Sequence, residues 1–432
     1  MYTTDNQGSE EDIVDLLSNI PLLVSSEGNS ALTQPITEEE IIKVVWSMDS
    51  DKAPGPDEFS IHFYKTCWEI IKEDILKMIK GFMKKAKVGG GTNSTYLALI
   101  PKETNPETFA RFRPISLCNA SYKILAKLLA TRMKPLLSRL ISCNQGGFVE
   151  GRHIMDNVIQ VQETIHSSNQ RKEKGMLIKL DMANAFDRVN RSFLFKVLLS
   201  FGFSSHFVNL ITACTQNPWI APLVNGRPTS FFQAQRGLRQ GCSLSPFLYI
   251  LMADSLSRKL SFEKSSGSLP GLKPSISSPA LNHALFADDS LLLGGASSRI
   301  AKAMDTILKR YCRVSGASIN ERKSEVYGWN IGQQELTGIA NILGFKGHAQ
   351  WDMIKYLGLP IIIGTNKRTL WTGIIGKIKS KIASWGGHWL TKGGKVILIK
   401  SVLSALPIYQ AAYLLAPKRV TDQISRILRD FL

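Results

Sequence analysis

The stretch HALFADDSLLLGG, residues 283–295, decides the fold class of this chain. Two apolar runs flank the acidic pair Asp288-Asp289, a pattern typical of two buried strands joined through an Asp-Asp turn. A second apolar run, residues 176–180, also ends in an acid, Asp181. These runs predict one strand that ends in Asp181 and a hairpin with Asp288 and Asp289 at its tip.

The rest of the chain alternates helical and strand signals, which predicts an α+β fold. Helical patterns extend over residues 120–141 and 299–314, and the Asn225-Gly226 pair is typical of a hairpin turn. A closing strand is expected near residues 323–327. Helices therefore separate the strands that carry the acids.

A third segment, GLRQGCSLSP at residues 237–246, places Gln240-Gly241 at a turn and Ser245 at a helix start. Taken singly, such segments have an ordinary structural interpretation, because aspartates are common in turns and serine is a common helix cap. Taken jointly, carboxylates from separate strands favour two-metal phosphoryl transfer, in which two divalent ions lie about 3.5–4 Å apart. Oxygen ligands of this kind suit Mg²⁺.

Charge is unevenly distributed along the 432 residues, whose net charge is +18. Residues 1–70 contain 14 acidic and three basic residues, whereas residues 353–421 contain 11 basic residues and no acidic one. A segregated basic surface favours a polyanionic partner, because lysine and arginine displace counterions from a phosphate backbone. A basic face that is merely solvated is the alternative interpretation.

The six cysteines lie far apart and form no CxxC pair, which indicates a reducing compartment and no zinc ribbon. The acidic start lacks the order of a signal peptide, and no apolar run approaches about 18 residues. We therefore expect an intracellular protein of the nucleus or cytoplasm that is not secreted and does not enter a membrane.

The three acidic and turn segments, in this order and spacing, resemble motifs A, B and C of reverse transcriptases. In detail they resemble the LINE-type non-LTR retrotransposon group in its plant-like form, and the resemblance extends over nearly the whole chain. Further segments similar to that group are KAPGPDEF (52–59), LALIPK (97–102), RFRPISLCNASYKILAKLLATRMKPLL (111–137), NQGGFVEGRHIMDNV (144–158), SGASINERKSE (315–325), YLGLPI (356–361) and LTKGGKVILIKSVLSALPIY (390–409).

The resemblance implies a right-hand polymerase with fingers, a palm built on an antiparallel sheet, and a helical thumb. An acidic helical N-terminal extension would cover residues 1–83. The reverse transcriptase domain, with fingers and palm, would cover residues 84–362, and a truncated basic helical thumb residues 363–432.

The resemblance also implies roles for individual residues. Three aspartates would be catalytic metal ligands, with Asp289 as the accessory carboxylate, and Phe186 would exclude a 2′-hydroxyl from the sugar site. Five further residues would contact the nucleotide, its triphosphate or the pyrophosphate. A short turn would form the primer grip. The metal ligands are Asp181, Asp288 and Asp289; the other nucleotide-site residues are Lys102, Arg113, Gln240, Gly241 and Lys323; the primer grip is Tyr356, Leu357 and Gly358.

The implied function is an RNA-directed DNA polymerase that adds dNTPs to a primer 3′-hydroxyl with Mg²⁺, or with Mn²⁺ as an alternative. Its partners would be an RNA template and a DNA primer. No endonuclease, zinc-knuckle or RNase H region is expected, so endonuclease activity would be supplied in trans.

Three alternatives remain at this point. An RNA-dependent RNA polymerase would favour Asp and Gly where this chain has Phe186 and Ala287, and a group II intron maturase would share only the palm. The third is a decayed retroelement fragment that binds nucleic acid without copying it. Altered motif surroundings favour that third alternative: a lysine is lost from motif A, Cys242-Ser243 stand in motif B, and Glu58 replaces a glycine that would permit positive φ.

Overall fold

The computed structural model describes residues 8–364, 369–385 and 390–432. Parts of the predicted N- and C-terminal segments, residues 1–7, 365–368 and 386–389, lie outside the described residues. The α-helices are α1 (Glu10–Leu17), α2 (Ser26–Thr33), α3 (Glu38–Trp46), α4 (Ile61–Thr66), α5 (Trp68–Lys85), α6 (Ala120–Leu140), α7 (Ile154–Gln170), α8 (Arg191–Ser200), α9 (Ser205–Thr215), α10 (Ser245–Ser265), α11 (Ser298–Ser315), α12 (Gln333–Leu343), α13 (Thr369–Ser384), α14 (Lys392–Leu398), α15 (Ile408–Ala411) and α16 (Lys418–Phe431). The strands are β1 (Ser94–Pro101), β2 (Phe112–Cys118), β3 (Gly175–Leu180), β4 (Trp219–Val224), β5 (Arg227–Pro228), β6 (Phe232–Gln233), β7 (His283–Phe286), β8 (Asp289–Gly295), β9 (Glu325–Trp329), β10 (Lys346–His348), β11 (Met353–Tyr356) and β12 (Leu359–Ile362).

A five-stranded sheet, which we call the central sheet, has the strand order β10-β9-β3-β8-β7. Strand β3 lies in its middle and pairs antiparallel with both β8 and β9. Five of its six residues are buried, which explains why its sequence is an almost continuous apolar run. The mixture of helices with a largely antiparallel sheet agrees with the predicted α+β class.

The closing strand of the central sheet, β9, begins at Glu325 and ends at Trp329 rather than spanning residues 323–327 as predicted. Residues 321–323 form a turn instead. The strand extends further because Gly175 of β3 pairs with Trp329, and the indole of Trp329 is almost fully buried.

A second sheet has the order β2-β1-β4-β5, with β6 also paired to β4. Its β4–β5 connection is the hairpin expected from the sequence, and it turns at Asn225 and Gly226 with φ angles of 51° and 78°. Both residue types tolerate positive φ, so this local signal was sufficient to place the turn.

The N-terminal helices share one apolar core with the helices around the central sheet. Leu16 of α1 and Ile41 of α3 belong to the same buried cluster as Leu129 of α6 and Leu251 of α10. The predicted boundary at residue 83 lies within α5, which continues to Lys85.

Ion pairs also connect the acidic N-terminal segment to the helices that it covers. Asp12 pairs with Arg313 of α11 at 3.0 Å, and Asp15 pairs with Lys259 of α10 at 2.8 Å and with Arg310 of α11 at 2.6 Å. Burial opposes ionisation of Asp15, but hydrogen bonds from the two cations outweigh it, so the pKa of Asp15 lies below its usual value. Some of the segregated negative charge is thus neutralised within the chain.

We expect Asp15→Asn to lower the free energy of unfolding at pH 7 by about 1–2 kcal/mol, since both cations lose an ionised partner in a partly solvated setting. Because the pKa of Asp15 is lowered by folding, its contribution is present above about pH 4 and disappears as the pH falls through the folded-state pKa. Urea denaturation at pH 7 and pH 3 measures both effects.

The control for that comparison is Asp305→Asn, which removes an i,i+4 pair with the exposed Lys309 at 2.7 Å. That pair should contribute about 0.3–0.5 kcal/mol. An equal loss in the two variants would contradict a docking role for Asp15.

The C-terminal region consists of a β11–β12 hairpin followed by α13 to α16. Trp371 and Ile375 of α13 pack with Val420 of α16, and Leu403 packs with Ile378 and Phe431. In the described parts of the chain, no helix has both the length and the apolar character needed to cross a membrane.

Candidate active site

The central sheet brings the predicted acids to the same end of two neighbouring strands. Asp181 directly follows β3, and Asp289 begins β8. The last paired residues of these antiparallel strands are Leu180 and Ser290, so Asp181 and Asp289 lie opposite each other one step further on. Two segments far apart in sequence therefore supply one carboxylate edge.

Asp288 lies in the turn between β7 and β8. Because Phe286 pairs with Asp289, the two turn residues are Ala287 and Asp288, and Asp289 belongs to the strand. The prediction of an Asp-Asp turn was wrong by one residue, since pairing with Phe286 draws Asp289 into the ladder. Ala287 adopts a φ of 55°, which is unusual for a residue other than glycine.

The three carboxylates repel one another. Burial is the main cause that raises the pKa of Asp288, and the charge of Asp181 raises it further while Arg113 opposes the shift. The pKa of Asp289 is raised by desolvation and by the charges of Asp288 and Asp181, against Lys179. An edge whose negative charges are mutually unfavourable is stabilised by a cation.

The donor set fits a divalent ion that keeps part of its coordination for other ligands. Among the residues that the structure describes, no three or more histidine, cysteine, aspartate or glutamate side chains are arranged so that they could hold a metal ion by themselves. Mg²⁺ is commonly held by one or two carboxylates together with substrate phosphates and water. Asp181, Asp288 and Asp289 form an open edge of this kind.

The backbone around Asp181 is held by the loop that precedes β9. The Asp181 N–H donates to Ser324 Oγ at 3.1 Å, and the Asp181 carbonyl accepts from the Asn320 N–H at 2.8 Å. Lys323 lies exposed in this loop, in a turn that precedes β9 and not in the closing strand expected near residues 323–327. Lys323 therefore lies next to Ser324 and three residues after Asn320, the two residues that hold the Asp181 backbone.

The segments that carry Phe186 and Gln240 are joined directly. The Phe186 carbonyl accepts from the Leu238 N–H at 2.7 Å, and the Phe186 ring stacks on Tyr249 of α10 at a centroid distance of 4.8 Å. Gln240 Nε2 donates to Asp187 Oδ2 at 2.8 Å. The structure thus brings together residues 181–187, which follow β3, and the segment 237–246.

Two residues that sequence reasoning missed support this junction. Asp187 is 2% exposed and orients the Gln240 side chain. Arg191, also buried, donates to the carbonyls of Ala234, Arg236 and Gly237 at 2.8–3.0 Å. Burial, and then the charge of Arg239, lowers the pKa of Arg191 to about 10. No local signal identifies these roles, because every partner is distant in sequence.

Glycine takes a left-handed backbone conformation at two turns of the segment 237–246. Gly237 and Gly241 each have a φ of 91°. A Cβ on Gly237 would lie 2.5 Å from the Asp187 carbonyl oxygen, whereas a Cβ on Gly241 would lie 3.7 Å from its nearest neighbour, in Ile115. Gly241 is exposed beside β2, and Gly237 lies against Asp187 in the stretch that follows β3.

The two predicted triphosphate residues lie at one end of the β1–β2 pair. Arg113 of β2 is exposed and close enough to Asp288 to stabilise its ionised form. Lys102 is exposed just beyond β1, and its N–H donates to the Arg111 carbonyl at 2.8 Å. The structure therefore connects Arg113 to the carboxylates electrostatically and places Lys102 near that end of the strand pair.

The predicted primer grip is the turn of the β11–β12 hairpin. Tyr356 is buried, and its hydroxyl donates to the Asp289 carbonyl at 3.5 Å, so it links this hairpin to the carboxylate edge. Leu357 and Gly358 form the turn with φ angles of 49° and 82°. The Tyr409 hydroxyl donates to the Leu357 carbonyl at 2.7 Å and holds the turn from the C-terminal region.

Comparison with known protein families supplies the final observation. The family description "Reverse transcriptase (RNA-dependent DNA polymerase)" matches residues 100–361, which contain all three aspartates and the primer-grip turn.

The chain belongs to the reverse transcriptase family. The chain is 26% identical over 430 residues to the Transposon TX1 uncharacterized 149 kDa protein of Xenopus laevis, a match that covers 97% of the chain and 31% of that protein. It is 28% identical over 298 residues to a Pol polyprotein from the type-1 retrotransposable element R2 of Popillia japonica, covering 67% of the chain and 39% of the polyprotein.

A shorter match is the uncharacterized mitochondrial protein AtMg01250 of Arabidopsis thaliana, 46% identical over 68 residues, or 16% of the chain and 56% of that protein. The chain spans about a third of the length of the longer relatives. The names of these longer relatives confirm the resemblance to non-LTR retrotransposon reverse transcriptases.

Proposed function

We propose that this chain is the RNA-directed DNA polymerase of a non-LTR retroelement, which extends a DNA primer on an RNA template. The observation that carries the proposal is the meeting of Asp181, Asp288 and Asp289 at one edge of the central sheet within a matched reverse transcriptase domain. Carboxylates from separate strands are the ligand arrangement that two-metal phosphoryl transfer requires.

In this proposal the central sheet is the palm, the β1–β2 pair and its sheet belong to the fingers, and α13 to α16 form the thumb. The exposed lysines of α13 and α14 support the last assignment, since a row of cations can follow a duplex backbone without reading its sequence. These lysines are Lys377, Lys379, Lys381 and Lys392.

Asp181, Asp288 and Asp289 would hold Mg²⁺, with Mn²⁺ as an alternative. When bound, the ions would lower the pKa of the primer hydroxyl and neutralise the triphosphate. The primer 3′-oxygen forms a bond to the α-phosphorus of the dNTP, the bond to the β-phosphate oxygen breaks, and pyrophosphate leaves. Arg113 offsets negative charge beside Asp288. Lys102 binds the triphosphate, and Lys323 donates a proton to the departing pyrophosphate.

The test is extension of labelled oligo(dT) on poly(rA) with dTTP and Mg²⁺. We expect extension that EDTA abolishes and that Mn²⁺ partly restores. A protein that binds the template-primer in a salt-sensitive manner but adds no nucleotide would instead be the decayed fragment, and the proposal would fail.

Sugar selection gives a second test, because Phe186 is fixed between the Leu238 backbone and the Tyr249 ring. We expect Phe186→Val to raise the kcat/KM of rUTP relative to dTTP by about 10–100-fold, since a smaller side chain admits the 2′-hydroxyl. Competitive single-nucleotide incorporation measures this ratio.

The matched control is Phe231→Val, which removes a comparable ring stack on Tyr96 at 5.9 Å in the second sheet. That variant should keep the wild-type ratio. An unchanged ratio in the Phe186 variant would show that another residue selects the sugar.

A further inference from the structure

The segment Asn144–Asn157, to which no role has been assigned above, wraps around the strand that leads to Asp288. The Gly146 N–H donates to the Leu285 carbonyl at 2.8 Å, and the Leu285 N–H donates to the Asn144 carbonyl at 2.8 Å. Asn157 Nδ2 donates to the same Leu285 carbonyl at 2.6 Å. The segment is therefore hydrogen-bonded to the backbone of β7, two to three residues before the acidic turn.

The Gln145 side chain reaches one step further, to the turn itself. It is fully buried, and its Oε1 accepts from the Ala287 N–H at 2.8 Å and from the Gly147 N–H at 2.9 Å. Two backbone donors converge on this atom, so it must be the oxygen of the amide. The Ala287 N–H immediately precedes Asp288 in the chain.

The surroundings indicate that this contact holds an unfavourable conformation. Ala287 has a φ of 55° and is 7% exposed, so its N–H would lack an acceptor without Gln145. A Cβ on Gly147 would lie 2.7 Å from the Ala287 nitrogen, which shows how closely the two backbones approach. Strained backbone persists only where surrounding groups impose it.

Hydrogen bonds from Arg152 hold the segment Asn144–Asn157 in place. Arg152 donates to the Gln145 carbonyl at 2.7 Å and to the Ile141 carbonyl at 2.8 Å, which ties the loop to the end of α6. Gln145 Nε2 is buried without a hydrogen-bond partner. The two hydrogen bonds to the amide oxygen therefore fix the orientation of the Gln145 side chain, even though its N–H₂ donor stays unpaired.

We infer that Gln145 is a positioning residue, which fixes the Ala287-Asp288 turn so that Asp288 is aligned with Asp181 for nucleotidyl transfer. This inference rests on the proposed polymerase function for its catalytic consequence. The geometric part, control of the turn by the Gln145 oxygen, stands independently of activity.

The test uses Gln145→Met, which keeps the side-chain length and removes the acceptor. In the full chain without metal, hydrogen exchange of the Ala287 amide should become at least about 10-fold faster, because its protecting acceptor is lost. In primer extension, kcat should fall about 10–100-fold while the KM for dTTP stays within about twofold, since misplacement of a reacting group affects the transition state.

Two further variants keep the test decisive. Gln145→Glu retains an oxygen toward both N–H groups and should preserve the slow exchange of Ala287. Gly147→Ala keeps the Gln145 side chain but places a Cβ 2.7 Å from the Ala287 nitrogen and 3.2 Å from Gln145 Oε1, so it disturbs the same contact from the other side. It should reproduce the loss in kcat, even if the methionine variant does not fold.

The matched control is Asn29→Leu, which removes an amide that also bonds two backbone groups, the Gly202 carbonyl and the Ser204 N–H, each at 2.7 Å. It should leave kcat and the Ala287 exchange rate unchanged. Wild-type kcat and exchange in Gln145→Met would overturn the inference. Absence of wild-type extension together with fast exchange in Gln145→Met would overturn only the polymerase function.

Discussion

Asp288→Asn should reduce primer extension by at least about 10³-fold while leaving template-primer affinity within about twofold. A metal site contributes several kcal/mol of charge stabilisation to phosphoryl transfer, and about 4 kcal/mol corresponds to three orders of magnitude in rate. Asp288 lies in the turn, beside Asp289 and under the electrostatic influence of Asp181, so its neutral replacement removes a ligand from the centre of the carboxylate edge.

The same substitution should not destabilise the metal-free protein. Folding raises the pKa of Asp288, so the ionised side chain is disfavoured in the native state, and stability decreases as the pH rises through that pKa. An uncharged asparagine avoids this repulsion. We therefore expect the Tm of the variant at pH 7 to equal or exceed that of the wild type in EDTA.

The change in Tm on addition of Mg²⁺ then distinguishes the wild type from Asp288→Asn without any activity measurement. Binding to the native state raises Tm by mass action, so the wild type should gain stability and Asp288→Asn should gain little. Asp305→Asn, a surface carboxylate on α11, serves as the control and should behave as the wild type in both assays. Full extension by Asp288→Asn would contradict the proposed site.

Gly237→Ala should lower the free energy of unfolding by about 3–5 kcal/mol. The added Cβ would lie 2.5 Å from the Asp187 carbonyl oxygen, a backbone atom that cannot rotate away. Positive φ adds about 1–2 kcal/mol of strain for an L-residue. The clash would separate the segments that carry Phe186 and Gln240.

Gly241→Ala is the matched control, because Gly241 has the same φ of 91° but its Cβ would contact nothing closer than 3.7 Å. Its free energy of unfolding should fall only by the cost of backbone strain, about 1–2 kcal/mol. Urea denaturation of the two variants separates backbone strain from the close approach of the two segments. Equal losses would show that φ alone determines the cost.

Local signals in the sequence were reliable wherever the responsible residues are neighbours. The Asn225-Gly226 turn and the helix predicted over residues 120–141, observed as α6 at Ala120–Leu140, needed only backbone preferences and apolar spacing. Glu58 is a similar case, since its φ of 62° shows that this position does require the conformation that glycine adopts readily.

Errors arose where strand pairing overrode local preference. The sequence pattern placed the turn at the acidic pair, whereas pairing with Phe286 moved Asp289 into β8 and left Ala287 in a strained turn position. The closing strand was expected from residue 323, whereas Lys323 lies in a turn and the strand begins at Glu325. Neither shift could be read from residues near the site, because strand register is set by the partner strand.

The sequence by itself determined the α+β class and the order of the segments that end in Asp181 and in Asp288-Asp289, because apolar periodicity and turn chemistry are properties of adjacent residues. The roles proposed for these aspartates follow from the resemblance to reverse transcriptases. Only the tertiary structure decided that Asp181 lies opposite Asp289, that Asp187 orients Gln240, and that Gln145 supports the turn before Asp288. Each of these contacts joins residues more than 50 positions apart in the chain, and such pairs form only when the whole core has packed.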